Sequence, residues 1–386
     1  MGKHSPAPGK TGMSKREYWL GFSVFPGIGP RTFQKLLERF GNARSAWEAS
    51  IGDLHSVLGE PLADKFDTFR KKFSPVDYAK ELAEKKVSFL TWTDNEYPKL
   101  LKAIKNPPFV LYIRGSFRFN DLNHQSTIAV VGTRKITQYG RDVTTLLTAE
   151  LVGAGFTIVS GLAMGVDAVA HQTAIENNGK TIAVLGCGVD CCIPTANQHI
   201  YNSIVKGSGS PRFAGGAGCV VSEFPLGQPP TKGSFPSRNR IIAGLSLGVL
   251  VTEGAEDSGA LITADYAFKN NRKVFAVPGQ ITSILSKGPY KLLGKGAKLV
   301  TNAEDILKEF QISNVKSQIN TNTKKYKTAT KEEQEILEIL ENEPLHFDEI
   351  VRRIKKSSSQ VGSILSLMEV KGMVKSLDSG MFSIAA

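Results

Sequence analysis

The segment Lys232-Gly233-Ser234-Phe235-Pro236-Ser237-Arg238-Asn239-Arg240 gathers three cations, an amide and an aromatic ring within nine residues, in a Pro/Gly-rich loop that leads into the apolar run Ile241-Ile242-Ala243. Arg and Lys neutralise phosphates, a Phe ring stacks on a base, and an Asn amide hydrogen-bonds a base edge or holds a loop. That combination points to a nucleic-acid strand with unpaired bases. A structural role competes for part of it: Arg238 and Arg240 also suit ion pairs with Glu223 or Glu253. At least one arginine is expected to do this, since both cannot face phosphates while Ile241 and Ile242 are buried.

Four glycine-containing turns follow predicted strands: Gly132-Thr133-Arg134, Ser160-Gly161-Leu162-Ala163-Met164-Gly165, Gly186-Cys187-Gly188 and Glu253-Gly254. Glycine lets backbone approach an anion, helix starts present N–H groups, and Arg134 adds a fixed charge. A dinucleotide cofactor is not expected. The pattern begun at Gly186 meets Cys191 where a third glycine belongs, and Ser160 stands where an acidic ribose partner should end the second strand. No Walker lysine motif or Ser-His-Asp arrangement is present, so the reading is of a binding protein without cofactor or catalytic residue. Asp167 and His171, one helical turn apart, suit a helix cap and a histidine that satisfies it. Cys187, Cys191, Cys192 and Cys219 lack paired metal-ligand spacing and read as buried thiols.

The elements that must position these turns are short, Val/Ile-rich strands at Thr127–Val131, Phe156–Ser160, Thr181–Leu185, Cys219–Ser222, Val249–Thr252, Val274–Val277 and Lys298–Val300, separated by helical patterns. In the helix from Arg141 to Val152, Val143, Leu146, Leu147 and Leu151 are expected on the buried side. The fold class is therefore α/β with a Rossmann-like doubly wound sheet, whose ligands bind outside the carboxyl ends of the strands. The domain is expected to span residues 95–311, with a loop insertion at 206–218.

Before it, after a tail of 16 residues, residues 17–90 read as a helical domain. Its apolar face is Phe22, Phe25, Leu36, Leu37, Phe40, Trp47, Leu54, Leu58, Leu62 and Phe66. Phe25-Pro26-Gly27-Ile28-Gly29-Pro30 suits a helix-hairpin-helix turn, serving either as a phosphate seat or as a simple connection. After a polar linker at 312–330, residues 331–386 suggest three helices and a hairpin turned at Asp378-Ser379-Gly380, a winged helix. Its third helix, Ser358 to Val370, has no Lys or Arg, which favours an accessory or protein-interaction role over duplex binding.

The net charge is +12, with the excess largest in the middle of the chain, and suits a polyanionic partner. No apolar run reaches the ~20 residues of a membrane helix, and the amino terminus has no apolar leader, so a cytoplasmic protein is expected.

At this point the chain resembles the DprA/Smf family. Tyr97-Pro98, Pro107-Pro108 and Leu111-Tyr112 resemble the start of the family's central domain. Val131-Gly132-Thr133-Arg134 is similar to its first turn, and Ser160-Gly161-x-Ala163-x-Gly165-x-Asp167 with Ala170-His171 to its second. Phe235-Pro236-x-Arg238-Asn239-Arg240-Ile241-Ile242-Ala243-Gly244-Leu245-Ser246 is the strongest signature. The flanks look like the family's sterile-alpha-motif-like or helix-hairpin-helix amino terminus and its winged-helix carboxyl terminus. The resemblance implies a homodimer that binds single-stranded DNA and delivers RecA recombinase onto it in natural transformation and homologous recombination. A single-strand-binding protein is a further expected partner, and a membrane is not. DNA contacts carry over to Arg134, Lys232 and Phe235, and to Gly132, Ser160, Gly161, Met164, Arg238 and Asn239. Arg240 joins them from its place in the basic segment. Ile193, before Pro194, stands where the family usually has an aromatic residue.

The dimer contact is expected around Tyr290, Leu293 and Leu299, where apolar residues outnumber the needs of an edge strand. The alternative is a nucleotide-binding or nucleoside-monophosphate-hydrolysing enzyme on a related sheet. It would use Glu253 and Glu256 at the turn where such hydrolases carry their glutamate.

Overall fold

The computed structural model describes residues 16–115, 126–206, 218–310, 330–340, 343–377 and 380–384. Nearly all of the expected tail, the insertion and the linker, and most of the hairpin turn at Asp378-Ser379-Gly380, lie outside them. The chain divides into two compact units, Met1–Val315 and Lys316–Ala386.

The first unit opens with helices α1 (Glu17–Val24), α2 (Pro30–Phe40), α3 (Ala43–Glu48), α4 (Ile51–Leu58), α5 (Glu60–Lys72) and α6 (Pro75–Glu84). Side-chain oxygens of Asn42, Ser50 and Ser74 cap α3, α4 and α6 by accepting from the N–H three residues on. Gly27, at φ +106°, makes the turn between α1 and α2 that another residue would strain to adopt. Of the expected apolar face, Phe22, Phe25, Leu36, Trp47, Leu54 and Phe66 are buried, and Leu37, Phe40, Leu58 and Leu62 pack partly against them.

The seven expected strands form, as β3 (Thr127–Val131), β4 (Thr157–Ser160), β5 (Thr181–Val184), β6 (Gly218–Ser222), β7 (Gly248–Val251), β8 (Lys273–Ala276) and β9 (Lys298–Leu299). Two further strands, β1 (Val87–Thr91) and β2 (Val110–Gly115), pair antiparallel with each other, and β2 pairs antiparallel with β6. The sheet order is β1-β2-β6-β5-β4-β3-β7-β8-β9. From β6 to β9 all neighbours are parallel. The sheet is thus mixed rather than wholly parallel. β1 lies within the block read as helical, and the two blocks share one core, in which Phe33 of α2 stacks on Phe109 beside β2 at 4.2 Å.

Because β3 lies between β4 and β7, the chain winds outward one way through β6 and then returns to start the other half. The β3/β7 junction is the topological switch point, where open α/β sheets leave a crevice. Helices α7 (Gln138–Gly153), α8 (Val166–Glu176), α9 (Gln198–Lys206), α10 (Ser234–Gly244), α11 (Gly259–Lys269), α12 (Lys287–Gly294) and α13 (Ala303–Glu309) flank the sheet. The buried side of α7 differs from expectation: Leu147 and Leu151 are buried, but Leu146 is 54% exposed. The contact row is Gly140, Thr144, Leu147, Thr148 and Leu151, because small threonines allow close packing and Thr144 hydrogen-bonds Thr252 at 2.9 Å.

The second unit contains α14 (Lys331–Leu340), β10 (Leu345–His346), α15 (Phe347–Ile354), α16 (Ser358–Val370), β11 (Val374–Leu377) and β12 (Met381–Ile384), with sheet order β10-β12-β11. Ile336, Leu340, Ile350, Val361, Leu365 and Met368 build its core, and Ser357 with Gln360 forms a capping box at the start of α16. It is the winged helix the sequence suggests, with β10 added.

Candidate nucleic-acid interface

At the switch point the turns after β3, β4 and β7 meet the first turns of α10 and α11. They enclose a cavity of about 320 Å³ lined by Gly132, Thr133, Arg134, Asp167, Phe235 and Thr263 among others. Beside it, Arg134, Gly161, Met164, Ile193, Pro194 and Phe235 line a smaller and more apolar slot of about 120 Å³. Phe235 and Arg134 stand between the two, with the guanidinium 5.3 Å from the ring centroid, a cation–π contact.

The basic segment is not the loop its glycine and proline suggested. From Ser234 it is the first turn of α10, and Pro236 fits because first-turn N–H groups need no helical partner. Reciprocal bonds between Thr231 and Ser234 fix the start. Helical phase then sorts the side chains. Phe235, Arg238, Asn239 and Ile242, spaced i, i+3, i+4 and i+7, line the cavity, whereas Ser237 and Arg240 turn towards Glu223.

This sorting turns Arg240 away from the cavity, towards Glu223. Its guanidinium is ion-paired with Glu223 and donates to the carbonyl of Asn106. Arg238 is almost fully buried and donates to the carbonyls of Gly161 and Val184 at 2.6 and 2.7 Å. Burial holds its pKa below the usual arginine value, with Asp167 opposing that shift. Gly161 has to be glycine here, since a Cβ would lie 2.1 Å from the Arg238 guanidinium. Asn239 accepts from Arg238 and donates to the carbonyl of Gly259, joining α10 to α11. The Ser160 hydroxyl, fully buried, donates to the carbonyl of Val130.

The groups that reach the surface are Arg134, Met164 and Lys232, all exposed, and Phe235 and Gly132, half-buried. Met164 sits in a turn where Leu162 has φ +57°, held by the buried Asn197 amide, which donates to the carbonyls of Leu162 and Ala163. Asn197 was not anticipated, because it is distant in sequence and its role is only to brace backbone.

Beneath the rim, Asp167 accepts from the N–H groups of Gly161 and Ala163. Burial raises its carboxyl above the ordinary range, and Arg238 draws it back. His171 does not satisfy Asp167 as expected. Its Nδ1 pairs with Thr181 at 2.7 Å, and burial, reinforced by Arg238, pushes its pKa down to about 3, so the ring is neutral at ordinary pH. Glu253 is also committed: its two oxygens accept from the hydroxyl and the N–H of Thr137 at 2.6 and 3.0 Å, which anchors the start of α7. Glu256 is exposed and paired with Lys291 at 3.0 Å. Neither carboxylate of the proposed hydrolytic pair points at the cavity as a free base.

Of the thiols expected to be buried, Cys187, Cys192 and Cys219 are, and Cys191 is half-buried. The Cys187 thiol donates to the carbonyl of Cys191 at 3.4 Å, and burial pushes its pKa up to about 12. Of the residues expected at a dimer contact, Leu299 is 47% exposed on the edge strand β9, whereas Leu293 and Tyr290 are half-buried and the Tyr290 hydroxyl bonds the carbonyl of Gly279. Ile281 and Ile284, strongly exposed before α12, were not anticipated there. No described helix is long and apolar enough to cross a membrane.

Comparison with known proteins places this geometry. Residues 88–311 match the family described as DNA recombination-mediator protein A, and residues 322–380 match the DprA winged helix domain. Protein Smf of Synechocystis sp. is 38% identical over 298 residues, covering 76% of this chain and 72% of that protein. DNA processing protein DprA of Streptococcus pneumoniae is 38% identical over 269 residues, 68% of this chain and 88% of its own. The X-ray structure of the Streptococcus pneumoniae protein has a TM-score of 0.65 at 35% identity, covering 76% of this chain and 97% of that one.

Proposed function

Because this chain belongs to the DNA recombination-mediator protein A family, we propose that it binds single-stranded DNA across the switch-point rim and loads a RecA-type recombinase onto it, as a cytoplasmic homodimer that catalyses no reaction itself. One observation carries the reading. Arg134 and Lys232 stand exposed with no acidic partner among the described residues, Arg134 in contact with the Phe235 ring and Lys232 three residues before it in the chain. Elsewhere the surface cations Lys291, Lys295 and Lys298 are ion-paired. Unpaired cations beside an accessible ring and an apolar slot suit phosphates and unstacked bases, which a duplex does not present.

The dimer reading rests on Leu299 at an open sheet edge, with Ile281 and Ile284 exposed nearby in the chain. Transfer to a recombinase, and any contact with a single-strand-binding protein, rest on family membership. Competition for a labelled oligonucleotide by single strand, duplex and mononucleotide tests the binding reading. Single strand should compete best, with affinity falling steeply as salt rises. Equal competition by duplex would end this reading. Sedimentation of the wild type and a Leu293→Glu, Leu299→Lys variant reports the dimer in the same preparations.

A further inference from the structure

The larger cavity extends past the Arg134 and Phe235 side to the start of α11, where Ser258, Gly259, Ala260 and Thr263 line it. None of these four belongs to the rim assigned above. Two independent features mark this end. The first is the helix start: Ser258 caps α11 by accepting from the N–H of Ala260, whereas the N–H of exposed Gly259 has no partner among the described residues. The second is Thr263, 2% exposed, whose hydroxyl has no hydrogen-bond partner among the described residues, although it lines the same space. It is not sealed off: it is not among the buried polar atoms shut away from any partner. Residues 259 and 263 are one helical turn apart, and helical side chains lean towards the amino terminus, which sets the Thr263 side chain over the turn that begins at Gly259.

A hydroxyl that no protein group satisfies, and that opens on a cavity, is available to donate to a ligand acceptor there. A helix start adds partial positive charge, which selects an anion. Of the nearby carboxylates, Asp167 is held by two N–H groups and Arg238, Glu256 by Lys291, and exposed Asp257 does not line the cavity. Buried Val131 and Ile242 form the inner wall, giving an apolar surface beyond the anion seat. At about 320 Å³ the space exceeds a lone phosphate and sits at the small end of the ~300–1,000 Å³ typical of small-molecule sites.

We propose that the start of α11 is a subsite for the phosphate of a terminal nucleotide unit, with Gly259 N–H and Thr263 hydroxyl as its donors. The inference rests on the single-strand reading for the strand that leads to it, but the subsite itself takes a nucleoside monophosphate. That chemistry has two sources, a phosphorylated strand end and a free mononucleotide. Val131 and Ile242 wall the cavity beyond Arg134 and Phe235, so a strand that ends there brings its terminal phosphate to donors away from the rim.

The test measures the affinity of six-nucleotide strands ending in a 5′-phosphate, a 3′-phosphate or hydroxyls only, together with direct binding of thymidine monophosphate. Thr263→Val keeps shape and removes the hydroxyl. Gly259→Pro removes the N–H at the first helical position, where proline is favoured; Ser258 already has the extended ψ of 139° that proline requires before it, and a Cβ at 259 meets nothing within 4 Å. In the wild type, one phosphorylated end should bind roughly tenfold tighter than the hydroxyl-ended strand, the worth of one charge-assisted hydrogen bond. Both variants should erase that ratio, while Arg134→Ala should weaken all three strands and preserve it. Thymidine monophosphate binding that disappears in both variants identifies the free nucleotide as a source, and its absence with the end preference intact assigns the site to strand ends. If no strand binds but the mononucleotide does, the subsite stands and the single-strand reading fails. A wild type that neither distinguishes ends nor binds the mononucleotide overturns the subsite, as does an end preference that survives both variants.

Discussion

The rim and the hub beneath it are built from the same residue types and the same stretch of chain, yet they face opposite solvents. In the rim, Arg134 and Lys232 keep their charges in water. In the hub, Arg238 is fully desolvated and answered by two carbonyls, Asn239 and the field of Asp167. Arg240 is anchored outside both, on Glu223. The difference teaches that residues crowded in sequence need not share a task. Each residue along a helix is rotated by about 100° from the last, and that rotation decides which guanidinium stays free. The hub has its own consequence for the rim: Arg238 ties the β4 turn to β5 and α10, so the slot that carries Met164 and Phe235 is held by buried bonds.

The hardest test of this division is Arg238→Met. Removing one member of a buried charge set leaves Asp167 buried without its countercharge, a loss on the order of 3–5 kcal/mol. Urea unfolding should show it as a lower midpoint, and DNA binding should fall only as far as the folded fraction falls. A variant of wild-type stability that no longer binds single strands would place Arg238 in the rim and collapse the distinction. Next in size is Phe235→Ala, expected to weaken binding by about 1–3 kcal/mol if the ring stacks on a base, with the salt slope unchanged. A lower unfolding midpoint with intact affinity would move Phe235 into the hub.

Much of the fold is legible because strands β3 to β7 are fully buried apolar runs between turn signals, and such runs have few other uses. The missing strands had equal apolar content but different neighbours. β1 directly follows a helix, and β2 sits in a segment whose prolines and tyrosines drew attention to Tyr97 and Pro108 instead. For the site, composition located the rim but not its depth. The pairing of Arg240 with Glu223 was foreseeable as one of two options, whereas the bond from His171 to Thr181 joins residues on different elements with no periodic link. Thr144 and Thr148 displaced Leu146 from the sheet face because close approach favoured small side chains, which hydrophobic periodicity does not weigh.

The hub should also respond to pH while the rim does not. His171 has its folded pKa pushed down to about 3 from an ordinary 6.5, by burial first and Arg238 second. As pH falls below 6.5 the unfolded chain gains a proton that the folded ring refuses, so this stability is present above 6.5 and is lost towards 3, at no more than about 1.4 kcal/mol per pH unit. Asp167 works the other way, since its raised folded pKa lets the native state take up its proton first as pH drops. The His171→Gln variant isolates the histidine. Its unfolding midpoint should fall less between pH 6.5 and 4.5 than that of the wild type, and equal slopes would mean the ring is not held neutral.

The smallest effect falls on the rim itself. Each phosphate contact with a single strand contributes a slope of about −0.7 to log affinity against log salt, so losing one contact weakens binding roughly fourfold at ~0.15 M salt. Arg134→Ala and Lys232→Ala should each show that loss with unchanged unfolding midpoints, because neither side chain has an acidic partner to abandon. Arg134 also lies over Phe235, so its removal frees the ring and should add a small cost that Lys232→Ala lacks. The double variant should combine the two slope changes, about 1.4 in all, if the contacts are independent. Arg240→Ala is the matched control from the same helix turn: it breaks the pair with Glu223 and should lower the midpoint while leaving the salt slope where it was. A reduced slope in Arg240→Ala with no change in Lys232→Ala would reverse the assignment, showing that the strand follows the Glu223 side of α10 and that helical phase had been read from the wrong face.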